Sequence, residues 1–524
     1  MKKFVIFVIC LCVISVNLPF ISLAADAKDG NETKYESDGT FIYEKNGSGI
    51  TVLGFDEDVT DKSEVVIPAN MGRYLVTEIG AYAFEGEKIK AITIPATVKA
   101  IGDGAFKSSR IESIEIPDGV TVINQELCAD CSKLKEITLP DNIERIDAYA
   151  FSKTKYINTY KNWKNGALYI GRYLISVKAS VKGKFTVADD TRTIAAQAFR
   201  NCEKITEITI PDGIKQLTGS LFFGCEKLEK VSIPESVEYM DADNFYGTEI
   251  YNNADNWENG VLYIGSHLIC ADKFAVPEEY VVRDGTKTIS NRAFENCEAL
   301  ISITLPKSVV YIGSEAFFNC TELVDVALSD GIKKIGNKAF CECSSIKSIA
   351  LPNSVKNIGT EVFSGCTSLE NIEFSSEMSE IPSKTFCYCE ALTTVSIPEN
   401  IKTIRSFSFA FCNNLKKIYV TSSLQTVEAH SFMVGQDAKV YCKGSPSDWN
   451  VEVAGSGHLF KKDRVSFIAS TDSDHKSSHT AITVIYIIVI ALAILAVVFK
   501  YFVPNDFKKK IYNKIRSFKI KSAK

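Results

Sequence analysis

Residues that commonly carry enzyme chemistry are scarce in this sequence. Only five histidines occur among 524 residues, and three of them (His458, His475 and His479) lie near the C-terminal end. Neither His267 nor His430 has a serine or cysteine nucleophile in a recognisable setting. A phosphate-binding glycine loop is missing as well. We therefore expect no catalytic residue, no cofactor and no small-molecule substrate, so the protein is not expected to be an enzyme.

Metal-binding patterns are also missing from the sequence. Two C-x-C pairs, at 341/343 and 387/389, have no accompanying histidines, so no zinc site is expected. An acidic cluster lacks the ligand spacing and central glycine of a calcium loop, and we interpret it as a solvated turn formed by Asp56, Glu57, Asp58 and Asp61. We expect no bound metal.

What the sequence does contain is one phrase repeated many times. Between Ala293 and Phe432, seven phenylalanines stand 23 residues apart, and a cysteine follows three residues after each of the first six. The phrase is A-F-x-x-C-x-x-L-x-x-I-x-I-P-x-x-V-x-x-I-G-x-x. A fixed period of roughly 20–29 residues is typical of a leucine-rich solenoid, in which each coil is stabilised mainly by its neighbours.

The spacing within one phrase predicts the course of one coil. Ile303 and Leu305 alternate with polar residues, which predicts a strand with both apolar side chains on the core face. Pro306 ends this strand because proline cannot donate to a ladder. The V-x-x-I-G step is predicted to turn the chain. The A-F pair is predicted to form one short helical or 3₁₀ turn on the outer side.

The repeats fall into three blocks, which we count as 14 coils. The first block has phenylalanine at 84, 106 and 151, with Leu127 in that position of a degenerate copy. The second block has it at 199, 222 and 245, and the third is the seven-copy run. Nine cysteines share one repeat position and are expected to form a ladder of buried free thiols. Cys128, Cys341 and Cys387 lie beside this position. A disulfide between two cysteines is the alternative for a secreted protein.

Two similar inserts separate the blocks. One reads W-K-N-G-A-L-Y-I-G from Trp163, and the other reads W-E-N-G-V-L-Y-I-G from Trp257, 94 residues later. Each predicts a small β-hairpin island standing off the solenoid. The two tryptophans are interpreted as packing posts, with stacking on a ligand as the alternative.

The two ends of the chain predict a secreted, membrane-anchored protein. Residues 1–25 have the pattern of a signal peptide, and 481–499 is an uncharged stretch long enough to span a bilayer. Nine Lys or Arg and one acid follow in a cytoplasmic tail, 500–524, which places the repeats outside the cell. Between these ends we expect a disordered lead (26–40), a β cap (41–82), the solenoid (83–442) with islands at about 155–190 and 250–285, a C-terminal cap around Trp449 (443–469) and a polar stalk (470–480).

Charge limits the class of partner. Subtracting the basic ends from the total of −5 leaves about −15 on residues 26–499. Such an acidic region is not expected to bind nucleic acid.

The repeat phrase, the W-x-N-G-x-L-Y-I-G islands and the S-D-W-N segment resemble those of BspA-like (Treponema-type) leucine-rich repeat proteins, over about residues 36–469. This resemblance implies an α/β-type leucine-rich repeat solenoid, mostly of parallel strands and short turns. It also implies a secreted or surface-displayed protein, since some members act as adhesins. The family has no shared binding motif to carry over, and no L-P-x-T-G sorting signal is present.

We therefore expect a cell-surface binding protein that contacts an extracellular protein or glycan, with a structural or spacer role at the envelope as the alternative. The predicted binding face is the outward side of the strands, which is small and polar and offers no pocket. The islands are the competing surface, with Tyr169, Tyr173, Tyr263 and His267 on projecting hairpins. The candidate binding residues are Thr138, Thr209, Thr304, Tyr419 and Tyr263.

Overall fold

The computed structural model describes residues 35–47, 49–455 and 458–468. Within them the chain forms two compact units, one of residues 35–176 with Arg192–Ala196 and one of Val177–Thr191 with residues 197–468. The predicted signal peptide, stalk, bilayer-spanning segment and basic tail lie outside the described residues. In the part of the chain that is described, no helix is long and apolar enough to cross a membrane.

The I-x-I segments form parallel strands that stack in register from coil to coil. Ile303 pairs with Tyr280 on one side and with Val326 on the other, and its side chain is buried between two outward-facing neighbours. In the first unit these strands are Glu64–Val66, Ala91–Thr93, Ser113–Glu115 and Glu136–Thr138. In the second they are Gly183–Thr186, Ile205–Thr209, Lys230–Ser232, Glu279–Val281, Ser302–Thr304, Asp325–Ala327, Ser348–Ala350, Asn371–Glu373, Thr394–Ser396, Lys417–Thr421, Lys439–Lys443 and Val465–Ile468.

The V-x-x-I-G step, predicted to turn the chain, also forms a second row of parallel strands. The turn closes at the first residue of the step, where the Val309 amide donates to the Pro306 carbonyl at 3.1 Å. The strands are Tyr74–Ile79, Ala100–Ile101, Val122–Ile123, Arg145–Ile146 and Thr193–Ile194 in the first unit. In the second they are Gln216–Leu217, Tyr239–Met240, Thr288–Ile289, Tyr311–Ile312, Lys334–Ile335, Asn357–Ile358, Glu380–Ile381, Thr403–Ile404, Thr426–Val427 and Glu452–Val453.

The glycine that follows this second strand has a steric cause. A Cβ built on Gly336 would lie 2.4 Å from the backbone nitrogen of Ser314 in the preceding coil. The backbones approach too closely there for a side chain, which explains the glycine in the repeat phrase.

The outer turn around each buried phenylalanine forms a third row of hydrogen bonds between coils. The amides of Lys338, Phe340 and Glu342 donate to carbonyls of the next coil at 2.8–2.9 Å. The first and last of these three residues have positive φ, 54° and 62°, which turns their amides along the stack. Alternate amides of this turn close i→i−3 hydrogen bonds, as from Cys341 to the Lys338 carbonyl at 3.1 Å, while the amides between them bond to the neighbouring coil. Within the described residues, the predicted 3₁₀ turn therefore becomes a 3₁₀ helix at this position only in Ala242–Phe245.

Phenylalanine rings form the centre of the core. From Phe294 to Phe432 consecutive rings stack with centroids 4.9–5.6 Å apart and interplanar angles of 3–16°. The spacing is close to the distance between neighbouring strands, about 4.8 Å. The 23-residue period therefore places one ring directly above the next.

The degenerate copy differs from its sequence assignment by one residue. In regular coils the amide of each phenylalanine donates to the carbonyl just before the next phenylalanine. Here the Phe106 amide donates to the Leu127 carbonyl, and the Cys128 amide donates to the Ala150 carbonyl. Leu127 therefore takes the alanine position and Cys128 the phenylalanine position, and the assignment of Leu127 is wrong. The ladder of hydrogen bonds between coils determines this register.

The cysteines form the predicted ladder of free thiols. All fourteen cysteines in the described part of the chain are free and buried. In the repeat position each thiol points toward the preceding coil: the Cys343 thiol donates to the Phe317 carbonyl at 3.0 Å, and the Cys412 thiol donates to Phe386 at 3.0 Å. The thiol thus fills a core gap and gives a backbone carbonyl a donor from the neighbouring coil.

The islands are part of the coil stack, so the prediction that they stand off it is wrong. Each is an antiparallel hairpin whose last strand pairs in parallel with the next coil: Tyr173 pairs with Thr193, and His267 pairs with Thr288. The strands are Trp163–Lys164, Ala167–Ile170 and Tyr173–Val177, then Trp257–Glu258, Val261–Ile264 and His267–Ala271. Short helical turns precede them at Lys155–Asn158, Tyr160–Asn162, Glu249–Asn252 and Ala254–Asn256.

The island tryptophans act as packing posts in both hairpins. The Trp163 indole donates to the Ile157 carbonyl at 2.7 Å, and the Trp257 indole donates to the Tyr251 carbonyl at 2.9 Å. Each indole therefore ties its hairpin to the helical turn that precedes it.

Caps cover the ends of the repeats. The N-terminal cap contains strands Glu36–Ser37, Phe41–Asn46, Gly49–Phe55 and Asn70–Met71, so it begins inside the segment predicted to be disordered. The C-terminal cap contains 3₁₀ turns at Pro446–Asp448 and His458–Phe460. Trp449 is buried there, and its indole donates to the Phe460 carbonyl at 3.3 Å.

Candidate binding surfaces

The strand face is the outward side of the I-x-I strands, and it carries three of the predicted threonines. Thr138 and Thr304 are exposed, whereas Thr209 is half-buried. Thr138 lies in the first unit beside Glu115 of the preceding coil. Thr304 lies between Val281 and Ala327 in the second unit. These threonines hold equivalent positions in separate coils, so they mark a repeating surface and do not converge on one point.

Tyr419 has an aromatic neighbour on the strand face that the sequence reasoning missed. Its ring stacks on that of Tyr441 in the next coil, with centroids 5.2 Å apart and an interplanar angle of 26°. Both residues are half-buried. The signal was visible in the sequence, because the two tyrosines hold the same position in consecutive strands. Paired aromatic rings in a polar row are common anchors at interfaces.

Charges alternate across three neighbouring coils of the strand face. Glu207 lies between two lysines of the neighbouring coils, with ion-pair distances of 2.7 Å to Lys184 and 3.3 Å to Lys230. Hydrogen bonding from Lys184, and also from Lys230, lowers the pKa of Glu207. This part of the face stays charged around neutral pH and presents both signs to a partner.

Tyr263 is not on a projecting surface, contrary to the expectation. The residue is 9% exposed, and its hydroxyl lies 2.9 Å from that of Tyr280. The Arg283 guanidinium covers its ring at 4.2 Å and pairs with Glu258 at 2.8 Å. Tyr263 therefore packs inside the second island, and its side chain is not available to a partner.

His267 is also buried, in the place that Tyr173 occupies in the first island. The Tyr173 hydroxyl donates to the Pro140 carbonyl. The shorter His267 side chain bonds Thr288 through Nδ1 at 2.7 Å, and its Nε2 has no hydrogen-bond partner among the described residues. Burial lowers the pKa of His267, partly opposed by the nearby backbone of Pro234 and by the charge of Glu235.

His267→Tyr is expected to flatten the dependence of stability on pH. A histidine with a lowered pKa stabilises the fold above its ordinary value of 6.5, and this stability is lost as pH falls, because the unfolded chain binds the proton more readily. For a single proton the slope of this loss cannot exceed about 1.4 kcal/mol per pH unit. Urea unfolding at several pH values between 7 and 5 measures it, with Tyr173→His as the reverse variant. Equal slopes for the wild type and His267→Tyr would contradict this assignment.

The outer turns carry a second surface that the sequence reasoning missed. Two residues in most coils, two before and two after the buried phenylalanine, have positive φ. Near the C-terminal end these positions hold aromatic rings. Tyr388 stacks on Phe411 at 4.7 Å, and Phe407 stacks on His430 at 5.1 Å. Aromatic residues at one offset in successive copies were the signal for this surface.

Stacked parallel strands, a phenylalanine core and a cysteine ladder define a leucine-rich repeat protein. The family model of the BspA-type leucine-rich repeat region matches this sequence at residues 61–182, 169–271, 278–360 and 311–438. The chain belongs to this family. Proteins of the family are surface proteins, and their repeat fold is typically non-enzymatic.

Several solved structures are similar to this chain. A leucine-rich cell-surface protein from Faecalibacterium prausnitzii is 22% identical and covers 81% of this chain and 98% of its own, with a TM-score of 0.27. A leucine-rich repeat protein from Bacteroides ovatus is 25% identical and covers 78% and 100%, with a TM-score of 0.28. The pneumococcal vaccine antigen PcpA is 16% identical and covers 84% and 99%, with a TM-score of 0.30. No curated protein matches the chain.

Proposed function

We propose that this protein is a cell-surface adhesin or recognition protein whose strand face binds an extracellular protein or glycan. The observation that carries the proposal is the exposed row of polar side chains on the strands of the second unit, which includes Thr304 and the Tyr419–Tyr441 stack. Thr138 holds the equivalent exposed position on a strand of the first unit. Such a row suits a broad surface through many modest contacts, with the stacked tyrosines as the anchor.

The proposal includes anchoring in the cell membrane through residues 481–499, with the repeats outside. The uncharged run and the basic residues that follow it support this orientation. Protease added to intact cells is expected to remove the repeats and to leave a fragment containing residues 481–524. Protected repeats together with a cleaved tail would reverse the orientation.

The binding face is tested with the full-length chain on immobilised extracellular-matrix proteins and glycans. Thr304→Arg combined with Tyr419→Ala is expected to weaken binding at least tenfold, because the first adds a bulky charge to the face and the second removes the anchor. Glu298→Arg, at an exposed position outside the strands, is the matched control. Binding that survives the double variant but is lost in Phe274→Ala, an island residue that is 89% exposed, would move the site to the islands.

A further inference from the structure

Tyr388 presents one open ring face on the outer turn of the second unit. Phe411 of the next coil covers one face of this ring at an interplanar angle of 12°. On the other side, the same position of the preceding coil is Gly365, which has no side chain. Tyr388 is 48% exposed, and among the described residues no cation lies over its ring.

A carboxylate lies beside this open face. The Glu342 side chain reaches over Gly365, so that a Cβ built there would lie 2.6 Å from the carboxylate. The carboxylate is thus at the level of the coil next to Tyr388, about 4.8 Å along the stack. Glu342 is exposed and has no ion pair within the described chain, whereas Lys338 and Lys384 pair with Glu361 at 3.7 and 3.6 Å.

This arrangement has no internal cation, although its chemistry favours one. The face of an aromatic ring is electron-rich, so a carboxylate beside it adds negative charge to negative charge. A guanidinium stacked on the ring would lie at the level of the carboxylate and bond it edge to edge. The protein already contains such a trio in its second island, where Arg283 lies 4.2 Å from the Tyr263 ring centroid and 2.8 Å from Glu258. Glu342 and Tyr388 repeat the ring and the carboxylate without the arginine.

The fold does not require an aromatic residue at position 388. Tyr388 has a φ of 61° and Phe411 also has a φ of 61°, a conformation that bulky residues rarely adopt. The same position holds Asn296 and Asn319 in earlier coils, and asparagine tolerates this conformation better. The exposed ring of Tyr388 is therefore available to a partner, and tyrosine is enriched among the residues that anchor interfaces.

We propose that Glu342, Gly365 and Tyr388 form a site for an arginine side chain of a partner protein. Gly365, which has no side chain, leaves the ring face open, the Tyr388 ring stacks on the guanidinium, and the Glu342 carboxylate pairs with it. The acidic balance of residues 26–499 also favours a basic partner. The site lies away from the strand face and does not depend on the strand face binding anything.

The test uses saturation-transfer NMR on the full-length chain with the peptide Ac-Gly-Arg-Gly-NH₂ as the probe. Its citrulline counterpart, which has the same shape without the charge, is expected to give at least a fivefold smaller signal. Glu342→Gln and Tyr388→Asn are each expected to reduce the arginine signal at least fivefold. Tyr388→Asn installs the residue of the earlier coils, so its unfolding midpoint should stay near that of the wild type, which separates lost binding from lost folding.

Two matched controls complete the experiment. Tyr82→Asn changes an exposed tyrosine that also has positive φ, and Glu390→Gln changes an exposed glutamate of the Tyr388 coil. Both are expected to keep the wild-type signal. Equal signals from arginine and citrulline, or an unchanged signal in Glu342→Gln, would overturn the proposal. A larger signal from a neutral trisaccharide, lost in Tyr388→Asn and kept in Glu342→Gln, would overturn it in favour of carbohydrate.

Discussion

Phe363→Ala is expected to lower the free energy of unfolding by about 3–5 kcal/mol. The ring is fully buried, and both of its faces are covered, by Phe340 and Phe386, each at 5.6 Å. Truncation leaves a cavity in the middle of the stack. The backbone hydrogen bonds between coils keep this cavity from closing. Because each coil is stabilised by its neighbours, the damage is expected to spread to the adjacent coils.

Urea unfolding measures the total loss, and hydrogen exchange shows how far it extends along the stack. Phe274→Ala is the matched control, since it deletes the same ring from a position that is 89% exposed. It is expected to change the free energy of unfolding by no more than about 0.5 kcal/mol. A similar small change for Phe363→Ala would mean that the phenylalanine stack does not hold the coils together.

The buried thiols are expected to react with iodoacetamide at pH 8 at least about a thousandfold more slowly in the folded than in the unfolded chain. Burial raises the pKa of Cys225 from 9.0 to about 12, and of Cys202 and Cys297 likewise. The thiolate is the reactive form, and a rise of three units lowers its fraction about a thousandfold at this pH. Restricted access in the core slows the reaction further.

Mass spectrometry of labelled peptides measures each of these cysteines separately. Thr304→Cys places a thiol at an exposed strand position and serves as the positive control, expected to label as fast as the unfolded chain. Rapid labelling of Cys225 in the folded protein would show that the ladder opens or that its thiols are not buried.

Much of the repeat could be predicted from the sequence, because the spacing of its apolar residues determines which side chains face the core. Alternation in Ile303 and Leu305 requires a strand with one apolar face, and the fixed period superimposes each phenylalanine and each cysteine on its counterpart. The nine cysteines in that repeat position have little alternative to burial. The core, the parallel strands and the free thiols follow from these local features.

Other features were decided by tertiary structure, because they depend on what the neighbouring coil provides. Hydrogen bonds between coils place Cys128, not Leu127, in the phenylalanine position. Pairing with the following coil draws the islands into the stack and buries Tyr263 and His267. On the outer turn, the Glu342 carboxylate reaches Gly365, which holds the position of Tyr388 in the preceding coil, although 46 residues separate Glu342 from Tyr388 in sequence. The sequence by itself determined the repeating unit and its core, while the contacts of each coil with the next decided which side chains remained outside.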